Sequence, residues 1–461
     1  MLFQTWEFVF FFLITLGGFL LLRATRFWQA WLLVASYVFY GWWNPLFLLL
    51  ILYTTTADYF LARGMACKNT APGWAKICIT LSVCNNLFLL GFFKYAGFFT
   101  ENLRWLFQVC SIPLEVPEPN ILLPVGISFF TFQSMSYCID VFRGELRCER
   151  NWIRYAAFVA LFPQLVAGPI ERATNLLRQL RHKPLIYPND IGDGLSLFIV
   201  GLFKKLVMAD TFAVYVNLVY DDPASFDAWT LLFATYAFAW QIYCDFSGYT
   251  DMARGVAKIM GIRLRLNFNN PYTAVDLGDF WRRWHISLSS WFRDYVYIPL
   301  GGNRVIKYRV WWNVFFTMLV SGFWHGAAWN FLIWGGLNGI GRVLTMPFDH
   351  AGWYLKMPKI IKQILVYHFI CLTWVFFRAP TFSDAMTILH RFFTGASGDS
   401  ILPIPVLTLI GMLWLYQLWY NTGWKAILAT RPVRYACLAI VLLLLLFVPS
   451  SAYQQFIYFQ F

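Results

Sequence analysis

Charged residues are scarce in this sequence. Only 13% of the 461 residues are Asp, Glu, Lys or Arg, whereas 59% are hydrophobic and 20% are aromatic. A soluble domain is about one quarter charged. Apolar runs that could cross a bilayer as helices recur along the chain, and they predict roughly 11 to 13 membrane elements, some partial. We therefore expect an all-α polytopic membrane protein that forms one membrane-embedded domain over residues 1–461.

Several motifs of soluble enzymes and pumps are missing. The sequence has no Walker loop and no G-x-G-x-x-G fingerprint, so it does not indicate an ATP-driven transporter. Its nine cysteines form no C-x-x-C pair. Because most of them lie in or beside apolar runs, we interpret them as small buried side chains, not as a disulfide framework or a zinc site. No metal and no bound cofactor are predicted.

Acidic residues are outnumbered by basic ones, 23 to 36, which gives a formal net charge of +13. The basic residues lie in short loops between apolar runs, as expected for loops on the cytoplasmic side. We therefore interpret the charge as contact with anionic membrane lipid, and we predict no nucleic-acid partner. The order of charges around the first and last apolar runs predicts that both termini are extracytoplasmic.

Two segments interrupt the series of apolar runs. Over residues 161–170, two prolines and a glycine predict a broken or re-entrant helix. Over residues 254–309, ten basic residues are spread among aromatic ones, and apolar positions recur at near-helical period between 281 and 295. We interpret the second segment as cytoplasm-side amphipathic or re-entrant helices. Their basic, aromatic surface fits lipid headgroups and the phosphates of a nucleotide-like ligand equally well.

One of the six histidines, His325, lies in the middle of an apolar, aromatic run. An ionisable residue at membrane depth is costly and by default indicates a functional site. The small residues around it would let a helix or a ligand approach closely, and a buried neutral imidazole could accept a proton from an attacking hydroxyl group. From the residues alone, His325 fits a general base and a core histidine equally well.

Other polar residues in apolar surroundings are His285 and Asp245. A predicted helix would carry Trp281 and Ser289 four residues to either side of His285, and the adjacent arginines favour an interfacial, structural position. Asp245 could orient an imidazole or pair with an arginine, and the second, structural interpretation is favoured. Residues alone assign neither of them to catalysis.

Six motifs occur in order along the chain. They are Pro-Val-Gly-Ile-Ser-Phe-Phe-Thr-Phe-Gln (124–133), Phe-Pro-Gln-Leu-Val-Ala-Gly-Pro-Ile (162–170), Asp-Phe-Ser-Gly-Tyr-Thr-Asp-Met-Ala (245–253), Asn-Phe-Asn-Asn-Pro-Tyr (267–272), Phe-Trp-Arg-Arg-Trp-His-Ile-Ser-Leu-Ser-Ser-Trp (280–291) and Gly-Phe-Trp-His-Gly (322–326). In this order they resemble the membrane-bound O-acyltransferases, and within them the bacterial branch that O-acetylates alginate or peptidoglycan. The resemblance implies a ring of membrane helices around a thinned centre with a tunnel.

The resemblance also implies a reaction and its residues. Acetyl-CoA would be the cytoplasmic donor, and His325 would match the family's tunnel histidine and act as general base. His285 would match the second histidine, on the cytoplasmic side, and hold or polarise the thioester carbonyl. By extrapolation, Arg282, Arg283 and Trp324 would contact the donor.

The acceptor implied by the resemblance is an exported polysaccharide, most simply alginate, with peptidoglycan or cellulose as alternatives. The enzyme would lie in the bacterial inner membrane and pass acetyl to a periplasmic partner acetyltransferase. A transporter that moves an acyl donor or a lipid-linked sugar without chemistry is the non-enzymatic alternative. Both kinds of protein need polar residues in a membrane cavity.

The aromatic tail over residues 453–461, predicted to be extracytoplasmic, ends in Phe-Ile-Tyr-Phe-Gln-Phe. This hexapeptide resembles the C-terminal motif of the small partner protein in teichoic-acid D-alanylation, in which a tyrosine is thought to carry the acyl group. By that likeness Tyr458 would accept acetyl and pass it on. An aromatic anchor at the membrane interface is the alternative.

Overall fold

The computed structural model describes most of the chain and shows it to be helical. The described residues contain no β-strand and one isolated bridge, between Phe226 and Asp399. This confirms the predicted all-α class. The described ranges are 1–67, 72–420, 422, 425–428, 430–446 and 456–457.

By packing, the chain divides into two compact units. Unit 1 comprises residues 1–198 and 252–265, and unit 2 comprises residues 199–251 and 266–461. The division concerns packing alone, and the single acyltransferase domain remains a prediction.

Unit 1 holds the first nine helices, whose ranges follow. They are α1 (Trp6–Leu22), α2 (Trp28–Gly41), α3 (Phe47–Met65), α4 (Pro72–Leu90), α5 (Ala96–Val109), α6 (Ile127–Phe142), α7 (Trp152–Ala160), α8 (Phe162–Leu165) and α9 (Leu176–Leu180). A buried carboxylate, Asp58 of α3, joins three of these helices. It accepts hydrogen bonds from Ser82 (2.6 Å) and Asn86 (2.8 Å) of α4 and from Ser134 (2.5 Å) of α6. Polar contacts thus reinforce apolar packing between these helices.

Two further helices, α10 (Pro188–Phe203) and α12 (Ala228–Ile259), contain residues of both units. The remaining helices belong to unit 2. They are α11 (Asp210–Tyr220), α13 (Leu277–Arg283), α14 (Ile286–Phe292), α15 (Lys307–His325), α16 (Trp329–Thr345), α17 (Gly352–Lys356), α18 (Lys359–Arg378), α19 (Phe382–Thr394), α20 (Ile404–Tyr420), α21 (Lys425–Leu428) and α22 (Arg431–Leu446).

Capping side chains set where several helices begin. The side chain of Thr5 accepts from the N–H of the third residue of α1, and Asn151 does the same for α7. Asp276 caps α13, and Thr381 forms a capping box with Asp384 at α19. Such caps satisfy N–H groups that have no partner inside the helix. They therefore position these helix starts from the local sequence.

Two helical stretches among the described residues are long and apolar enough to cross a membrane. They are Gly73–Val109 and Lys359–Arg378, and shorter apolar helices occupy 6–22, 404–420 and 432–446. The first stretch is continuous because a π-helical turn over Gly91–Tyr95 connects α4 to α5.

The predicted interruption over residues 161–170 is confirmed. Helix α7 stops at Ala160, and only the four residues of α8 return to helical geometry before the backbone becomes irregular. The whole segment is buried. The N–H of Phe162, at the break, donates to the Ser36 hydroxyl at 3.1 Å. Irregular backbone is thus accommodated where protein atoms surround it and satisfy it.

Candidate functional site

His325 is the last residue of α15. The sequence placed it inside a continuous run, but the helix ends there, and the chain continues through Gly326 in extended geometry before α16 begins. A Cβ atom on Gly326 would lie 2.0 Å from the Phe331 ring, so the close turn requires glycine. His325 is 4% exposed. Its ring packs edge-on against Trp334 and Phe377, with centroids 5.1 and 5.4 Å away.

His285 lies in the break between α13 and α14. The expected helix through this position is wrong, since His285 has φ 42° and ψ 55°, the left-handed conformation. That conformation costs about 1–2 kcal/mol for a non-glycine residue, and hydrogen bonds that Asn267 accepts offset it. The Asn267 carbonyl accepts from the Ile286 N–H at 2.9 Å, and its side-chain oxygen accepts from the Ser287 N–H and hydroxyl.

The contact between His285 and Asn267 defines the tautomer of the imidazole. Oδ1 of Asn267 lies 3.2 Å from Nδ1 of His285 and also faces the Ser287 N–H. Because a backbone N–H can only donate, the Asn267 atom that faces it is the oxygen, and Nδ1 must carry the proton donated to it. His285 lies outside the long apolar helices, and burial lowers the pKa of its imidazole to about 3. The imidazole is therefore neutral, with its lone pair on Nε2.

The two histidines belong to one group of contacting rings in unit 2, which we call the seven-ring cluster. Successive members have centroids 5.0 to 6.3 Å apart, and the last contacts the first. All seven side chains are buried. In order they are His285, Trp324, His325, Trp334, Trp374, Trp284 and Phe268.

Trp324 connects the histidines directly. Its ring centroid lies 6.2 Å from that of His285 and 5.0 Å from that of His325. The structure thus brings together three of the predicted site residues. Their surroundings are aromatic and buried, which is the kind of environment that keeps water away from a thioester.

A cavity of about 270 Å³ adjoins the cluster. Trp281 lines it, and the Trp281 ring lies 5.7 Å from that of Trp334, a cluster member. Ser321, one helical turn before His325 on α15, lines it as well. Two arginines, Arg293 and Arg342, contribute positive charge to its wall.

The predicted donor residues Arg282 and Arg283 have a different setting. The Arg282 side chain is 66% exposed and lies 3.8 Å from Asp276 and Asp279, and Arg283 pairs with Asp279 at 2.9 Å. Neither is among the residues that line the cavity.

Sequence reasoning missed the two arginines of the cavity wall. For Arg293 the available signal was its place in the basic, aromatic segment over 254–309. For Arg342 it was a single basic residue within an apolar run. Arg342 pairs with Asp349 at 2.7 Å, and Arg293 pairs with Asp294 at 2.8 Å.

Asp245 pairs with a lysine, so the expectation of an arginine partner is wrong. Its Oδ1 lies 2.8 Å from Nζ of Lys205, which also pairs with Asp210 at 2.8 Å. The approach is close because a Cβ on Gly248 would lie 2.7 Å from the carbonyl oxygen of Gly201, so α12 runs against α10 backbone to backbone. Only this tertiary contact brings Lys205 to Asp245.

The C-terminal tail is described at Phe456 and Ile457, and Tyr458 lies outside the described residues. Both described residues are 3% exposed and pack within unit 2. The N–H of Ile457 donates to Oδ2 of Asp245 at 2.7 Å. This part of the tail is therefore held inside the protein.

The side chains of His, Cys, Asp and Glu are the usual protein ligands of metal ions. In the part of the chain that the structure describes, no three or more of them are placed to hold a metal ion. The nine cysteines are all free thiols.

Comparison with known proteins gives similar proteins over most of the chain. Residues 142–377 match the family described as MBOAT, membrane-bound O-acyltransferase family. "Probable alginate O-acetylase AlgI" of Pseudomonas aeruginosa is 38% identical over 399 residues, covering 86% of this chain and 75% of that protein. "Peptidoglycan O-acetyltransferase" of Helicobacter pylori is 36% identical over 435 residues, covering 87% and 81%. "Teichoic acid D-alanyltransferase" of Bacillus subtilis is 28% identical over 285 residues, covering 58% and 71%.

Proposed function

The chain belongs to the membrane-bound O-acyltransferase family and is an O-acyltransferase, and we propose that it moves acetyl groups from cytoplasmic acetyl-CoA to an exported polysaccharide. The names of the similar proteins favour alginate as the final acceptor, with peptidoglycan as the second candidate. The chain lies in the bacterial inner membrane in this proposal. A periplasmic acetyltransferase completes the transfer.

The observation that carries the proposal is the position of His325. Its imidazole lies in the buried seven-ring cluster, together with His285 and next to a cavity with two arginines. His325 acts as general base: it takes the proton of a hydroxyl group whose oxygen attacks the thioester carbonyl. The C–S bond then breaks, and the CoA thiolate leaves with the proton that His325 held. Exclusion of water protects the thioester from hydrolysis.

His285 holds a group of the substrate through Nε2. Its Nδ1 proton is directed at Asn267, so a neutral Nε2 accepts a hydrogen bond and cannot donate one to the thioester carbonyl. Both roles expected from the resemblance, holding and polarising the thioester carbonyl, require a hydrogen-bond donor, so this tautomer fits neither, and Nε2 instead accepts from another group of the substrate. An amide N–H of the pantetheine arm is a suitable donor to Nε2.

The cavity beside the cluster receives the donor. Acetyl-CoA is strongly anionic, and Arg293 and Arg342 supply positive charge on the cavity wall. The exposed Arg282 and the half-buried Arg283 attract the phosphates during approach. Trp324 packs against the acetyl-bearing end between the two histidines.

Tyr458 takes the acetyl group and passes it to the periplasmic partner. Support comes from its sequence neighbours, since Phe456 and Ile457 are buried in unit 2 at Asp245. Tyr458→Phe keeps the ring and removes the hydroxyl group. We expect this variant to lose both acetyl-CoA turnover and acetylation of the polysaccharide, because the thioester then has no acceptor hydroxyl group. Unchanged acetylation would leave only the aromatic-anchor interpretation.

The test uses the full-length protein in lipid nanodiscs with radiolabelled acetyl-CoA. Wild type should consume the thioester, and His325→Ala should lose that activity while it remains folded. His390→Ala serves as the control, because His390 is exposed on α19. Acetyl transfer at the wild-type rate by His325→Ala would refute the assignment. Movement of intact acetyl-CoA without thioester cleavage would instead support the transporter alternative.

A further inference from the structure

The described part of the C-terminal segment, Phe456 and Ile457, packs in unit 2 against the buried carboxylate of Asp245 and nearby rings. Ile457 donates its backbone N–H to Oδ2 of Asp245 at 2.7 Å. The preceding Phe456 ring packs on Phe246 and Tyr249, with centroids 6.0 and 5.1 Å away. The receiving residues all lie on α12, within four positions of one another. The backbone hydrogen bond and both of these aromatic contacts thus hold the segment against the same helix.

The negative charge of Asp245 is stabilised by its ion pair with Lys205. The carboxylate is buried, and Lys205 and Asp210, its neighbours in the ion-pair chain, are buried as well. Buried charges persist only when they are paired and hydrogen-bonded. Because Lys205 takes Oδ1, Oδ2 is directed to the N–H of Ile457. A hydrogen bond from an N–H to an ionised carboxylate is about twice as strong as one between neutral groups.

The docked segment lies one ring away from the candidate active site. Phe246 contacts the Phe456 ring on one side, and its centroid lies 4.7 Å from that of His285, edge-on. Phe246 therefore contacts both the end of the chain and a histidine of the seven-ring cluster. In sequence, Ile457 is followed directly by Tyr458.

We propose that Asp245 is a positioning residue that docks the chain's own C-terminal segment beside His285, and that this docking is required for the acetyl group to leave the site. Docking by Asp245 is independent of the proposed function. Only the statement that docking is required for the acetyl group to leave rests on that function. Delivery of acetyl-CoA does not use the segment. Loss of docking therefore separates donor binding from acetyl transfer.

Asp245 accepts its hydrogen bond from a backbone N–H, so substitutions of Ile457 that remove this N–H should differ in effect from those that keep it. Ile457→Pro removes the N–H that Asp245 accepts, whereas Ile457→Val keeps it together with a β-branched side chain. Asp245→Asn is isosteric but retains only one oxygen, which Lys205 takes. The new amide NH₂ then faces the N–H of Ile457, so two donors meet and docking is lost.

A matched control lies on the same helix. Asp251 pairs with Lys204 at 2.7 Å, much as Asp245 pairs with Lys205. Asp251→Asn therefore breaks an ion pair of the same kind six residues along α12. Any effect of Asp245→Asn that Asp251→Asn shares is a general loss of stability.

The first measurement does not depend on acetyl transfer. Full-length protein in nanodiscs is exposed to carboxypeptidase, and release of C-terminal residues is followed by mass spectrometry. We expect Asp245→Asn to be trimmed through Ile457 about tenfold faster than wild type, in line with the loss of a charge-assisted hydrogen bond. Asp251→Asn should be trimmed like wild type. Equal trimming of Asp245→Asn and wild type, or of the two variants, overturns the inference.

The second measurement addresses function. Binding of acetyl-CoA to Asp245→Asn and Ile457→Pro should stay within about twofold of wild type, whereas acetyl-CoA turnover and acceptor acetylation should both fall about tenfold or more. Ile457→Val should acetylate normally. Unchanged acceptor acetylation in a variant whose tail is undocked overturns the required role of docking. If wild type shows no acetyl transfer but trimming behaves as expected, the proposed function fails and the docking stands.

Discussion

His285 Nδ1 lies 3.2 Å from Oδ1 of Asn267, and this contact decides which nitrogen of the buried imidazole carries the proton. The Ser287 N–H and hydroxyl face the same oxygen at 3.2 and 2.9 Å. The orientation of the amide is therefore set by a backbone donor that cannot change its role. Asn267 thus both stabilises the left-handed backbone of His285 and leaves Nε2 as an acceptor.

Replacement of this amide by a carboxylate should change the chemistry of the imidazole. In Asn267→Asp, the negative charge would raise the pKa of His285 and favour the imidazolium, which donates from both nitrogens. We expect kcat to fall about 10-fold or more, because a protonated Nε2 can no longer accept a hydrogen bond from the substrate. Asn269→Asp is the control, because Asn269 is exposed. Equal kcat values for wild type and Asn267→Asp would contradict the tautomer assignment.

The turn after His325 should not tolerate a larger residue. In Gly326→Ala the new Cβ would lie 2.0 Å from the Phe331 ring, so a buried aromatic side chain has to move. Overpacking of this kind costs about 1–3 kcal/mol, which thermal unfolding in detergent would register as a lower Tm together with reduced activity. Gly97→Ala is the matched control, since no atom lies within 4 Å of its added Cβ. A Tm for Gly326→Ala equal to that of the control would count against this packing account.

The cavity arginines should govern affinity for the donor. Arg293→Ala and Arg342→Ala remove positive charge from the cavity wall, so KM for acetyl-CoA should rise about tenfold with a smaller change in kcat. Arg342→Lys, which keeps the charge, should recover part of the loss. Arg309→Ala, at an exposed position of α15, should behave as wild type. The same assay on Arg282→Ala and Arg283→Ala tests their proposed part in donor approach.

A pH-dependent part of stability should come from Glu149 in unit 1. Burial raises the pKa of Glu149, but hydrogen bonds from the Asn151 N–H and the Arg181 guanidinium, and the charges of Arg154 and Arg181, outweigh it and bring the pKa below the ordinary 4.5. A pKa that is lower in the folded state stabilises the fold above pH 4.5 and ceases to do so as the pH falls through the folded value.

Glu149→Gln should therefore lower the Tm near pH 7, where wild type has the full contribution. The difference between the two proteins should shrink as the pH is lowered below 4.5. Glu145→Gln, in the same loop, is the comparison. A constant difference at all pH values would show that packing, and not the carboxylate charge, is responsible.

The sequence by itself determined the class of the protein and indicated His325 as its candidate general base. Scarce charge and recurring apolar runs predicted an all-helical membrane protein, and six ordered motifs identified the acyltransferase family and His325. The proline-interrupted segment over residues 161–170 was also predictable, because proline acts on its immediate neighbours. These inferences rest on composition or on local chemistry, which a sequence displays directly.

Tertiary contacts decided the rest. Helical period between residues 281 and 295 predicted one or more helices, with His285 inside a helix, but Asn267, 18 residues before His285, accepts the hydrogen bonds that stabilise a break there. Lys205 reaches Asp245 only because glycines let their helices touch, and Ile457 reaches it from 212 residues away. Periodicity and propensity describe neighbours along the chain. Partners this distant in sequence meet only after the helices have packed, so the geometry of the site is a property of the folded protein.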